Sequence, residues 1–144
     1  ILVALDESPH SDRALQAAVG LLAQAGPEAK LTALRVVPDY HFPEYSEAFL
    51  SGTEALEKLR GGLLETGQKR LQAQLQRCGA PASTTPVVKL GEAAYPEVLR
   101  FAKAQPFDLV VMGSRGHGSV AGALLGSQTH RVLAGVQQPV LVVH

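Results

Sequence analysis

Hydrophobic positions along the 144 residues fall into short unbroken apolar runs that alternate with stretches of three- and four-residue spacing. "ILVAL" at 1–5, bounded by Asp6 and Ser8-Pro9, reads as a fully buried strand. Ala14, Leu15, Ala18, Val19 and Leu22 then recur at helical spacing up to Gly26-Pro27, with Ser8 or Ser11 as the N-cap. "LTALRVV" at 31–37 predicts a second strand, and the resulting β-α-β unit requires parallel strands. Residues 38–53, "PDYHFPEYSEAFLSGT", hold no steady period and read as a loop or lid. A helix is predicted from Glu54 to about Arg77 through Leu56, Leu59, Leu63, Leu71 and Leu75. Gly61, Gly62 and Gly67 weaken it by up to about 1 kcal/mol each, which leaves room for a break near Gly61.

"TTPVVKL" at 84–90 is a third strand, and Pro86 assigns it to a sheet edge or to a strand's start. Tyr95–Ala104 is helical, with Pro96 in its first turn, Glu97 early and Lys103 late, as the helix dipole favours. "DLVVM" at 108–112 and "PVLVVH" at 139–144 complete five strands. Apolar strands alternating with helices imply a parallel sheet covered on both faces: an α/β fold, an open five-stranded sheet of order 3-2-1-4-5. In such a sheet strands one and four are neighbours, and ligands bind in the crevice beyond their carboxyl ends. Asp6 and Gly113, more than a hundred residues apart, are therefore expected to face each other.

Composition narrows the picture. The length fits one domain, 1–144. Thirteen basic residues balance thirteen acidic ones, which argues against a duplex nucleic-acid partner and makes any anion site local. One cysteine, Cys78, excludes an internal disulfide and agrees with a reduced, cytoplasmic setting. No apolar run reaches the roughly 20 residues of a membrane helix, and no signal peptide is visible, so no membrane partner is expected.

The candidate chemistry lies in "MGSRGHGSVAGALLGS", residues 112–127. Glycine there permits positive φ and lets a ligand approach backbone N–H groups that form an anion nest. No acidic residue follows Asp108, while Arg115 and Arg131 do. With a turn ending at Leu125, Ser127 is expected to cap a helix running to about Ala134, whose first amides would meet a phosphate. A Walker A loop is excluded because the chain has no Gly-Lys pair. Gly116, Gly118 and Ala121 satisfy G-x-G-x-x-[GA], but no acidic residue follows to hold a ribose, so NAD is not expected. His10, His41, His117, His130 and His144 show no tight metal-ligand spacing. His117 sits within the glycine loop as an acid-base candidate, though a solvent-facing role is the commoner outcome.

Gly113, two residues, Gly116, nine residues, then Gly126-Ser127 matches the G-2x-G-9x-G-[ST] nucleotide motif of the universal stress protein family. "ILVALDESPHSDRAL", "LTALRVVP" and "QQPVLVVH" also resemble that family's opening strand, second strand and closing strand. The resemblance implies a flavodoxin-like domain of the ATP-binding branch that holds ATP, commonly with Mg²⁺ or Mn²⁺, and pairs into dimers. It implies that Asp6 sits by the adenosine, that the backbone of Val36 meets adenine, and that Gly113, Gly116, Gly126 and Ser127 hold phosphates. Met112, Arg115, His117, Gly118 and Gln128 lie in or beside the motif as further binding candidates. Many members carry Gly after the first-strand Asp, where this chain has Glu7, a carboxylate that would repel a triphosphate unless a metal intervened or it turned to solvent. The function implied is an ATP-responsive regulatory module of the stress response. The alternatives are a slow ATP hydrolase at the same site and an interaction protein with a vestigial site. The terminal strand 139–144, if at the sheet's edge, is the expected homodimer surface.

Overall fold

A computed structural model describes residues 1–39, 53–116 and 124–144. Five strands, β1 (Leu2–Leu5), β2 (Thr32–Pro38), β3 (Thr85–Gly91), β4 (Val110–Gly113) and β5 (Val140–Val143), form one sheet of order β3-β2-β1-β4-β5. Every pairing is parallel. The expected α/β flavodoxin-like architecture is therefore present. The expected loop or lid at 38–53 lies mostly outside the described residues, as do His117 and Gly118.

Helices α1 (Pro9–Gln24) and α2 (Thr53–Arg77) cover one face of the sheet, and α3 (Ala94–Ala104) and α4 (Ser127–Gly135) the other. Period-two alternation sorts each strand's side chains between the two cores. Val3, Leu5, Ala33 and Val111 pack with Ala14, Leu15, Ala18, Leu71 and Leu75. Leu2, Leu34, Val110 and Met112 pack with Val98, Ala102 and Val132. Burial on both faces is why these strands read as continuous apolar runs rather than alternating ones. β3 is an edge strand with Pro86 second in it, so the missing N–H costs the ladder little.

Helix α1 starts where Ser8 Oγ accepts from Ser11 N–H at 3.2 Å, with Pro9 in the first turn. The glycines do not break α2 near Gly61: the helix runs unbroken from Thr53 to Arg77. Its glycines divide by surroundings. A Cβ at Gly61 or Gly62 would meet nothing within 4 Å, whereas one at Gly67 would lie 2.7 Å from Val37 Cγ2 and 2.9 Å from Val88 Cγ1. Gly67 is thus the point at which α2 lies close against β2 and β3, and tertiary packing there outweighs its poor helix propensity.

Candidate functional site

Beyond the carboxyl ends of β1 and β4 the sheet opens into a cavity of about 150 Å³. That is below the roughly 300–1,000 Å³ of a pocket enclosing a whole drug-sized ligand, so the enclosed part suits a ring rather than a complete nucleotide. One wall is the sheet, through Ala4, Leu34, Val36 and Met112; the other is α3 and α4, through Tyr95, Val98 and Val132. The polar rim is Asp6, Arg115, Gly116, Gly126, Ser127 and Gln128, with Gly113 below it. The structure therefore brings Asp6, Val36, Met112, Gly113, Arg115, Gly116, Gly126, Ser127 and Gln128 to one cavity. Residues far apart in sequence meet because β1 and β4 are neighbours whose chains leave in opposite directions.

Asp6 is anchored by the start of α1. Its Oδ1 accepts from Ser8 N–H at 3.0 Å and from Ser8 Oγ at 2.6 Å, and its own N–H donates to Ser11 Oγ at 3.0 Å. The two serines thus cap a helix and fix the carboxylate in the same few atoms. Across the crevice Gly126 N–H donates to Ser114 O at 2.7 Å, and Thr129 Oγ1 donates to Gly113 O at 2.9 Å. These bonds dock the N-terminus of α4 on the end of β4. Among the described residues the first intrahelical bond of α4 is His130 N–H to Gly126 O, so the amides of Ser127, Gln128 and Thr129 have no carbonyl within the helix and border the cavity. Arg115 brings a guanidinium to the same rim, its Nε buried without a hydrogen-bond partner. Amide dipoles and one cation make this end of the cavity attractive to anions.

Two expectations need correction. Gly126, not Ser127, is the N-cap: its extended φ of −71° and ψ of 152°, with its N–H held by Ser114, leave Ser127 as the first helical residue, and no side chain caps α4. Gly113, Gly116 and Gly126 do not have positive φ, which among the described glycines occurs at Gly26 and Gly79. Gly113 and Gly116 serve close approach instead. A Cβ at Gly113 would lie 2.8 Å from the backbone carbon of His10, and one at Gly116 would collide with Asp6 Oδ2. Glu7, the departure from the family pattern, is ion-paired with its side chain 31% exposed: its Oε2 lies 2.5 Å from Arg35 Nη2 and 3.4 Å from Arg70 Nη1. Burial works to raise the Glu7 pKa, and the hydrogen bonds and charges of Arg35 and Arg70 outweigh it, holding the carboxyl below its ordinary range.

One contributor escaped the sequence reading. Tyr95, at the start of α3, lines the cavity; its N–H donates to Gln128 Oε1 at 3.0 Å, and Arg131 lies 4.8 Å over its ring. The side chain of Gln128 is thereby engaged in capping α3, which lacks a cap of its own at Ala93. His10, whose backbone lies against Gly113, has its pKa lowered by desolvation and then by the charges of Arg13, Arg115 and His144, against the opposing pull of Asp6. A signal for Tyr95 existed, since the helix after β3 must cover the crevice face, but nothing local marked its ring. Among the described residues no group of three or more His, Cys, Asp or Glu is placed to hold a metal, and no helix is long and apolar enough to cross a membrane.

The model of the universal stress protein family matches residues 1–144. A universal stress protein of Thermus aquaticus, encoded in the QAH/OAS sulfhydrylase 3′ region, is 36% identical over 148 residues, covering 99% of this chain and 96% of that one. Universal stress protein UspA from Lactobacillus plantarum superposes with a TM-score of 0.77 at 24% identity, covering 99% of this chain and 95% of its own. A universal stress protein solved in complex with cAMP has a TM-score of 0.58 at 26% identity, with 99% and 96% covered. With the sheet order, the crevice and these matches together, the chain belongs to the universal stress protein family.

Proposed function

We propose that residues 1–144 act as one adenine-nucleotide-binding regulatory module of the stress response, with ATP as the ligand. The observation that carries this reading is the two-part cavity: an apolar slot between Val36 and Tyr95, opening onto the amides of α4 and the Arg115 guanidinium. The purine would enter the slot, where a flat ring meets aliphatic walls, and the phosphates would lie along the rim at Gly116, Gly126 and Ser127. Hydrogen bonds to charged groups contribute about 1.5–3 kcal/mol each, so three amides and Arg115 supply the roughly 8 kcal/mol of a micromolar site. A divalent ion such as Mg²⁺ fits this arrangement as a passenger of the phosphates, since among the described residues the cavity offers a single carboxylate, Asp6. Bound there it would neutralise phosphate charge. Nucleotide occupancy would act by fixing the rim, and so by changing which partners the protein meets.

The relative solved with cAMP favours a second reading, a cyclic nucleotide as ligand. A cyclic phosphate would use the same slot with fewer rim contacts. Mass analysis of nucleotide co-purifying with the chain separates the two: ATP or ADP supports the first reading, cAMP the second, and neither bound nor titratable nucleotide refutes both. We also propose a homodimer through β5, because it is an edge strand paired on one side only, with β4. Sedimentation of the native chain as a monomer at tens of micromolar would contradict it.

A further inference from the structure

Glu7 is the non-glycine residue with positive φ among the described ones, at +68°. That left-handed conformation is costly for a side-chain-bearing residue, of order 1–2 kcal/mol, and glycine would take it freely. The residue also stands between two parts of the cavity machinery, Asp6 and Ser8. A carboxylate at this point would oppose a polyanionic ligand. Its side chain, however, is drawn to the α1–α2 side of the sheet. There Arg35 of β2, its side chain 10% exposed, takes Oε2, and Arg70 of α2 closes on the same oxygen. The strand register explains the direction: Arg35 pairs with Leu5 at the end of β1, while its neighbours Leu34 and Val36 face the cavity. Arg35 in turn is a buried cation whose Nε and Nη1 have no hydrogen-bond partner, so Glu7 is the group that makes its burial tolerable.

We propose that Arg35 and Arg70 form a clasp that holds the Glu7 carboxylate away from the nucleotide cavity, making Arg35 a positioning residue that keeps the site open to highly charged phosphates. Released from the clasp, Glu7 repels ligands in proportion to their negative charge. Held, it is silent. The proposal rests on the nucleotide reading above and adds to it a control on which nucleotides are accepted.

The test is Glu7→Asp, which preserves every charge and tolerates the left-handed backbone but is one methylene too short to keep the Arg35 contact. Binding of ATP, ADP, AMP and adenosine is measured by calorimetry at low salt for native and variant chains. The clasp predicts that ATP binding weakens by about fivefold or more, ADP and AMP progressively less and adenosine not at all, and that salt at about 0.5 M shrinks the difference. A complementary cycle of Arg35→Met, Glu7→Gln and their combination covers the case in which Glu7→Asp does not fold. Glu7→Gln should change ATP affinity less than about twofold in the native background and restore most of the loss in the Arg35→Met background. Equal losses for all four ligands, or additive effects in the cycle, overturn the clasp while leaving nucleotide binding standing. Failure of the native chain to bind any of the four overturns both.

Discussion

Alanine at Gly113 and alanine at Gly116 should fail in different ways, although both glycines belong to one motif. At Gly113 the new Cβ would lie 2.8 Å from His10 C, 2.9 Å from His10 Cβ and 3.0 Å from Ser11 N. Carbon contacts are comfortable at about 3.5–4.0 Å, so the start of α1 would have to retreat from β4 by most of an ångström. Two of the three atoms are backbone within a capped helix and cannot swing aside. Overpacking of this kind costs about 1–3 kcal/mol, and the better backbone preference of alanine returns at most about 1. Net destabilisation of about 1–2 kcal/mol should lower Tm by roughly 3–8 °C for a chain of this size. At Gly116 the clash is with Asp6 Oδ2, the end of a side chain that can rotate. Stability should then change by less than about 1 kcal/mol, while nucleotide affinity falls about tenfold or more because a displaced Asp6 no longer presents its fixed carboxylate. Thermal melts and ATP titrations of both variants decide the matter. A Gly113→Ala protein as stable as the native one, or a Gly116→Ala protein destabilised as much with native affinity, would refute this division of roles.

Within α2, Gly62→Ala should stabilise by about 0.5–1 kcal/mol, while Gly67→Ala should destabilise by about 1 kcal/mol, read as opposite shifts in urea midpoint, because only the second Cβ meets Val37 and Val88. Ser8→Ala removes both the α1 cap and the bonds to Asp6 Oδ1, so it should cost about 1 kcal/mol and also weaken ATP binding, by melting and titration together. Glu7 and Asp12 are both burdened by burial and held below their ordinary pKa, the first by Arg35 and Arg70, the second by hydrogen bonds from Gln74 and Arg77 and the Arg77 charge. Because the folded values are the lower ones, their stabilisation is present above the ordinary carboxylate range of about pH 4 and is lost as pH falls through it. Denaturation from pH 7 to pH 3 should show that loss, and Glu7→Gln should flatten it.

The five strands were legible because sheet burial on both faces leaves no polar residue inside β1 or β4, and a run such as "LVAL" has no other stable use. Asp6 and Gly113 could be brought together from topology, because 3-2-1-4-5 is a common order for such an alternating chain and β1 does pair with β4. The reasons for individual glycines were not legible. Whether a glycine serves φ, helix approach or a neighbour's carboxylate depends on atoms 21 to 110 residues away, as at Gly67, Gly113 and Gly116. The cap of α4 moved from Ser127 to Gly126 because a carbonyl on the far side of the crevice, Ser114 O, captured the Gly126 amide. Glu7 pairs with Arg35 and Arg70 across 28 and 63 residues, a spacing with no local signature.

Melting the native chain with and without ATP, in the presence of Mg²⁺, tests nucleotide binding most directly. A micromolar site at a hundredfold excess of ligand adds about 2.7 kcal/mol, so Tm should rise by roughly 5–10 °C with ATP. An unchanged Tm at millimolar ATP would contradict the account.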